Sequence, residues 1–105
     1  MPLFDNLLSF NSGTLEISLK DGCHPVTSVW IMTEEDTRFS VSHKNDTPLK
    51  ILNAVEKDIL CMHRHSSTLF VHFTKPLKIT KERKPVKWME LVYTADAVKP
   101  EPEDE

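Results

Sequence analysis

Four side chains of kinds that commonly bind metal ions lie close together in the sequence: Cys61, His63, His65 and His72. The first three alternate along one segment, so on a β-strand they would point to one face. His72 could meet them across a hairpin, which would give a four-ligand site for zinc or copper. The alternative is a buried Cys61 with histidines on a solvated strand end. A metal site needs ligands, geometry and supporting contacts together, so we predict that no metal is bound. These four residues are the candidate ligands of the alternative, a metal site.

Other residues that could perform catalysis are sparse. Cys23 and His24 are sequence neighbours, but adjacent side chains on a strand point apart, which does not suit a nucleophile and its base. The chain has two glycines, too few for a glycine-rich phosphate loop. The acidic run 34–36 is typical of a charged turn. We therefore expect a non-enzymatic protein without a cofactor.

A basic segment, residues 75–87, is the strongest charge feature, and Trp88 follows it directly. It could contact phosphates, with aromatic residues nearby to stack on bases. It could instead bind an acidic protein, or form a solvated edge strand whose lysines and prolines discourage aggregation. The candidate partner-binding residues are Lys78, Lys81, Arg83, Lys84 and Lys87.

The length of 105 residues fits one domain. The net charge of −3 resides in the C-terminal end, where residues 96–105 hold five acids and one lysine. We predict a single β-rich domain over 1–95 and a disordered acidic tail over 96–105. Within that tail, Lys99 fits a short pattern for attachment of a ubiquitin-like modifier. Two cysteines, no signal peptide and no membrane span favour the cytoplasm or the nucleus.

Period-two alternation of apolar residues predicts most of the elements. It indicates strands at 15–19, 26–33 and 38–43, a hairpin of 59–64 with 68–73 through Ser66-Ser67, a strand starting at Leu77 and Ile79, and a last strand over 86–93. Residues 3–10 suit a short helix, a buried arm or a first strand. Thr47 and Pro48 fit a helix start, which predicts a short helix near 48–57. Together these elements predict a mainly β fold, an antiparallel β-sandwich of six to seven short strands with one short helix.

Residues 78–93 read K-I-T-K-E-R-K-P-V-K-W-M-E-L-V-Y. This stretch resembles the last strands of CS domains, the β-sandwich modules of small co-chaperones that work with the ninety-kilodalton heat-shock chaperone. The run from Ile79 to Arg83, together with Trp88, Leu91 and Tyr93, has the spacing of that family. An acidic tail after the domain is also family-like.

The resemblance implies a domain that docks on a larger chaperone through a basic edge strand and favours its closed, ATP-bound form. The charged residues of the basic segment would meet acids on the chaperone, while Trp88 would pack in the core. The alternatives are a nuclear or nucleic-acid-associated regulatory protein that uses the basic segment on phosphates, or an oligomeric, lineage-specific or viral interaction domain. The sequence leaves the partner and the oligomeric state open.

Overall fold

Seven β-strands and one α-helix follow one another in the computed structural model, which describes residues 7–80 and 83–97. In chain order they are β1 (Leu8–Asn11), β2 (Thr14–Leu19), β3 (Gly22–Thr33), β4 (Arg38–Val41), α1 (Thr47–Ala54), β5 (Ile59–His65), β6 (Thr68–Leu77) and β7 (Val86–Tyr93), with a short 3-10 turn (Glu56–Asp58) after α1. All strand pairs are antiparallel. The predicted mainly β antiparallel fold with one short helix is confirmed.

The long strand β3 joins the parts of the fold. The strands of the sheet follow the order β1-β2-β3-β7-β6-β5. Strand β4 is not in this series and pairs with β3. The first residues of β3 pair with β2, its later residues pair with β4, and its other side pairs with β7 from Val26 onward. A single curled sheet with its core on the concave side therefore forms the sandwich-like arrangement.

Alternate residues of the central strands fill this core. Val29 and Ile31 on β3 are buried while Trp30 and Met32 point away, and on β6 the buried residues are Leu69, Val71 and Phe73, as the alternation predicts. Burial of such rows is the main force that holds a small β domain together. The buried apolar set is Leu8, Leu15, Ile17, Val26, Val29, Ile31, Leu52, Leu69, Val71, Phe73, Val86, Met89, Leu91 and Tyr93.

Helix α1 contributes the fully buried Leu52 to that core. Its start differs by one residue from the prediction: Asp46 occupies the N-cap position and Thr47 is the first helical residue. The Asn45 side chain accepts a hydrogen bond from the Thr47 backbone N–H at 2.9 Å, so a neighbouring polar side chain satisfies this N–H. The β5–β6 hairpin turns through Ser66 and Ser67, as predicted, with both residues in the left-handed region at φ 50° and 63°.

Two strand predictions need correction. Strand β3 already begins at Gly22, because Pro25 sits where β3 changes partner, so its missing N–H does not interrupt the ladder. Strand β6 continues through Pro76 to Leu77, so no new strand starts there. Residues 8–11 form strand β1, which is one of the three alternatives left open for residues 3–10.

The predicted basic edge strand is wrong as well. Residues 78–80 and 83–85 lie outside the strands, and β7 is flanked by β3 on one side and β6 on the other. None of the described helices is long and apolar enough to cross a membrane. Residues 94–97 end the described chain in a bend, where the Thr94 hydroxyl donates to the Asp96 carbonyl at 2.9 Å. The rest of the predicted tail, including Lys99, lies outside the described residues.

Candidate functional site

The convex side of the sheet carries an unusual row of aromatic side chains. We call this surface the aromatic face and define it by six residues on four adjacent strands. Each keeps part of its surface open to solvent, because the inward positions of the same strands are taken by the core residues. Strand neighbours lie about 4.8 Å apart, so such side chains can touch from strand to strand. The six residues are Trp30, Met32, His63, Phe70, His72 and Trp88.

Ring contacts run continuously from β5 to β7. The His63 ring is almost parallel to the rings of Phe70 and His72, with centroids 5.0 Å from each. The His72 ring lies 5.4 Å from the Trp88 ring. Aromatic pairs at such separations stabilise one another beyond their simple burial. The contacts order these side chains before any partner arrives.

A charged network completes the aromatic face on its β4 side. The Arg38 guanidinium lies 3.9 Å from the Trp30 ring centroid and reaches across β3 to Glu90 on β7. Its Nε and Nη2 both donate to Oε1 of Glu90, at 3.2 and 3.0 Å. The indole Nε1–H of Trp88 donates to the other carboxylate oxygen at 2.8 Å. The carboxylate of Glu90, which is 7% exposed, therefore has donors on both oxygens.

This network escapes sequence reasoning because its members come from three strands and its central pair, Arg38 and Glu90, is separated by fifty-two residues. One signal points to it. Glu90 is an acid between Met89 and Leu91, and a buried acid in a strand interior is rarely left without a partner. The identity of that partner depends on strand order, which the sequence does not state.

Two predicted burials are wrong. Trp88 does not lie in the core, because Met89 and Leu91 hold the inward positions of β7 and alternation turns Trp88 outward. Cys61 is exposed rather than buried. The register of β5 shifts between Ile59 and Cys61, and Leu60 occupies the extra position, so Cys61 moves to the outer side opposite His72.

Two of the four candidate metal ligands meet. The Nε2 atoms of His63 and His72 are 3.0 Å apart, so one ring donates its proton to the lone pair of the other and at least one ring is neutral. Burial, with a smaller effect of the His63 charge, lowers the pKa of His72. His65 lies beside the turn, opposite Thr68. Across 7–80 and 83–97, no three histidine, cysteine or acidic side chains are placed to hold a metal ion.

An open cleft of about 450 Å³ adjoins the aromatic face at its β5–β6 end. Its walls include His72, Trp88 and Leu60, which is a large apolar side chain left 66% exposed. Lys75 and Lys87 stand at the same cleft. The cleft therefore combines apolar walls with Lys75 and with Lys87, whose charge is paired with that of Asp36.

The basic segment is partly paired within the domain. Lys84 lies 3.7 Å from a Glu35 oxygen, and Lys87 forms an ion pair with Asp36. The Arg83 guanidinium lies 3.9 Å from the centroid of the Phe39 ring. Lys78 is exposed, and Lys81 lies outside the described residues. The acidic residues of the β3–β4 turn thus partly neutralise the positive charges that were predicted to bind a partner.

A second charged group lies at the opposite end of β3. The His24 ring is 2% exposed, and its Nδ1 lies 2.7 Å from the Thr94 carbonyl oxygen while its Nε2 lies 2.8 Å from an Asp21 carboxylate oxygen. Both oxygens can only accept, so keeping both bonds requires a proton on each ring nitrogen. The Asp21 bond, helped by the Thr94 carbonyl, raises the pKa of His24, and the same bond lowers the pKa of Asp21.

This pair predicts how stability depends on pH. The raised pKa of His24 contributes stability in full below its ordinary value of 6.5, and the contribution is lost as pH rises through the folded-state pKa. The lowered pKa of Asp21 contributes above its ordinary 3.8 and is lost as pH falls through its folded-state pKa. The pair therefore contributes most between these two values.

Urea unfolding at pH 5.5 and at pH 9 checks this prediction. The wild-type chain should lose more stability over that interval than Asp21→Asn, in which His24 has lost its carboxylate partner. Equal losses in the two proteins would show that the pair does not couple folding to pH.

No protein-family model, curated protein or solved structure matches this chain. The resemblance of residues 78–93 to CS domains stays a prediction.

Proposed function

We propose that this chain is a non-enzymatic protein-binding module that contacts its partner through the aromatic face. The observation that carries the proposal is the continuous row of solvent-accessible rings ordered by their own contacts. Tryptophan and arginine are the residue types that most often dominate binding energy at protein interfaces. Arg38 stacks on Trp30 here and is linked to Trp88 through the Glu90 carboxylate, which gives the face the composition of such an interface.

The adjoining cleft extends this surface toward the basic segment. Lys87 lies 5.2 Å from the centroid of the Trp88 ring and lines the cleft with it. A partner that covers the rings would also meet Lys75 and Lys87. We infer that the partner presents apolar side chains flanked by acids, because a charged rim guides association and the apolar centre supplies affinity.

The resemblance to CS domains supplies one partner class for this proposal: a large chaperone in its closed, ATP-bound form, in the cytoplasm or the nucleus. Under this hypothesis the exposed cations of the basic segment contact acids on the chaperone. Phosphate binding by the same segment is the competing hypothesis. The ion pairs of Lys84 and Lys87 with the β3–β4 turn weigh against it, because they reduce the positive field that nucleic acid requires.

Charge reversal in the basic segment tests its contribution to partner binding separately from that of the aromatic face. The double variant Lys81→Glu/Arg83→Glu is expected to weaken partner binding about tenfold at low salt, and less at high salt, because exposed charges are screened. Affinity measured by titration calorimetry at two salt concentrations checks this. Lys44→Glu/Lys57→Glu, at two exposed lysines outside the basic segment, is the control with the same change in net charge. A folded double variant with unchanged affinity at low salt would remove the basic segment from the interface.

The partner itself is identified by capture from cell lysate with the full-length chain, in halves with and without nuclease. The proposal predicts a protein retained in both halves. Enrichment of a large chaperone with a non-hydrolysable ATP analogue would support the partner class that the resemblance names. Loss of every partner after nuclease treatment would favour the nucleic-acid hypothesis and contradict the proposal.

A further inference from the structure

A second cleft, separate from the aromatic face, opens where the β2–β3 turn approaches the β5–β6 turn. Its volume is about 280 Å³, just under the roughly 300–1,000 Å³ typical of small-molecule sites, so it suits one small group rather than a large ligand. Backbone hydrogen bonds fix its walls. The Tyr93 N–H donates to the Ser67 carbonyl and the Thr94 N–H donates to the Pro25 carbonyl, each at 3.0 Å. We call it the cationic cleft, and its polar lining is Lys20, Asp21, His24, Arg64, Ser67 and Tyr93.

The charges of the cationic cleft do not cancel. The His24 imidazolium and the Asp21 carboxylate neutralise each other through their 2.8 Å contact. Lys20 and Arg64 remain, and among residues 7–80 and 83–97 neither makes a salt bridge or a side-chain hydrogen bond. The charge of Arg64 acts on both His24 and Asp21 and lowers the pKa of each, which places it within electrostatic range of the pair.

Uncharged donors accompany these cations. Ser67 and Tyr93, which each carry a hydroxyl group, line the same cleft, and within the described part of the chain neither hydroxyl has a hydrogen-bond partner. Neither hydroxyl oxygen is fully buried, so each keeps some accessible surface. The lining of the cleft thus includes two cations and two hydroxyl-bearing residues, contributed by the β2–β3 turn, β5, the β5–β6 turn and β7.

We propose that the cationic cleft binds a dianionic phosphate group, carried by a monoester or present as free phosphate. Proteins commonly bind phosphate with the planar guanidinium group of arginine and the ammonium group of lysine. A phosphate group presents three acceptor oxygens and nearly two negative charges at neutral pH, which matches donors arriving from several directions better than a planar carboxylate does. Arg64 and Lys20 supply the ionic contacts, and Ser67 and Tyr93 supply hydrogen bonds. The Asp21 carboxylate also lines the cleft, and its contact with the His24 imidazolium offsets its charge.

The test is an NMR titration of the full-length chain at pH 7 and constant ionic strength. The probes are inorganic phosphate, O-phospho-L-serine and, as a planar anion, acetate. We expect saturable shifts of backbone amides at residues 20–24, 64–67 and 93–95 with both phosphates, and none of comparable size with acetate. Tighter binding of O-phospho-L-serine would identify a phosphorylated side chain as the source, and equal binding would identify free phosphate. Either result supports the phosphate site.

Variants make the assignment residue-specific. Arg64→Gln is expected to weaken phosphate binding about fivefold or more, the size of a partly exposed ionic contact. The amide spectrum verifies that the variant folds, as expected for an exposed side chain with no described partner. Lys57→Gln, an exposed lysine outside the cleft lining, should leave the affinity unchanged. Shifts that never saturate, equal shifts with acetate, or full affinity in Arg64→Gln would overturn the proposal.

Discussion

Replacing Trp88 with alanine is expected to weaken partner binding by about thirtyfold or more. Truncation of a central interface tryptophan typically costs about 2 kcal/mol or more. Trp88 touches His72, borders the apolar cleft and donates to Glu90, so its loss removes contact area and also loosens the network beside it. Titration calorimetry with the captured partner measures the effect.

The control for this prediction keeps the ring and removes only the donor. Trp88→Phe leaves an aromatic surface but no N–H for Glu90, while Arg38 still donates to the other carboxylate oxygen. We expect it to retain most of the affinity and to lose about 1 kcal/mol of stability. Trp88→Ala that binds as tightly as the wild type, with an unchanged near-ultraviolet spectrum of the remaining tryptophan, would exclude Trp88 from the interface.

Replacing Leu91 with alanine is expected to destabilise the domain by about 3 kcal/mol. Leu91 is fully buried at the centre of β7, opposite Val29 on β3 and Leu69 on β6. Removing a buried leucine side chain costs the transfer free energy of the lost atoms and leaves a cavity, which together amount to about 2–5 kcal/mol. Thermal and urea unfolding followed by circular dichroism measure the change, and the midpoint temperature should fall by more than about 10 °C.

The neighbouring residue on the same strand provides the matched control. Val92 points to the opposite side of the sheet and is only half-buried, so Val92→Ala is expected to cost about 1 kcal/mol or less. Similar losses for Leu91→Ala and Val92→Ala would contradict the inward and outward assignment of β7. That assignment also places Trp88 on the aromatic face, so the stability experiment bears on the binding surface too.

The strands with clear alternation could be predicted from the sequence. Leu15 and Ile17, Val29 and Ile31, and Leu69 and Val71 occupy alternate positions of their strands, and each pair is buried. Period two reports directly which side of a strand faces the core. The Ser66-Ser67 turn was predictable because the two flanking segments alternate in matching phase.

Shifts in strand register explain why the burial of some residues could not be predicted from the sequence. An extra residue in one strand reverses the facing of everything beyond it. The shift at Leu60 brings Cys61 to the outer side. The shift between Met32 and Thr33 on β3 leaves Lys87 of β7 without a register partner on β3. Such irregularities depend on the neighbouring strand, so local sequence alone does not locate them.

The pairing of charges also depends on strand order. The basic segment appears available to a partner when read along the chain, yet Lys84 and Lys87 meet Glu35 and Asp36 from a turn about fifty residues earlier. Arg38 and Glu90 meet only because β3 brings β4 and β7 to its two sides. The aromatic face is assembled in the same way, from residues that the sequence scatters over β3, β5, β6 and β7.

The two tryptophans permit the most direct test of the proposed binding surface. Trp30 and Trp88 are the only tryptophans in the chain, both belong to the aromatic face, and each indole N–H gives its own NMR signal. In a cross-saturation experiment with the captured partner, the proposal predicts that both indole signals lose intensity, with methyl signals of the concave core unaffected. Full retention of both indole signals, with attenuation confined to α1 or β1, would show that the partner binds elsewhere and would contradict the proposed function of the aromatic face.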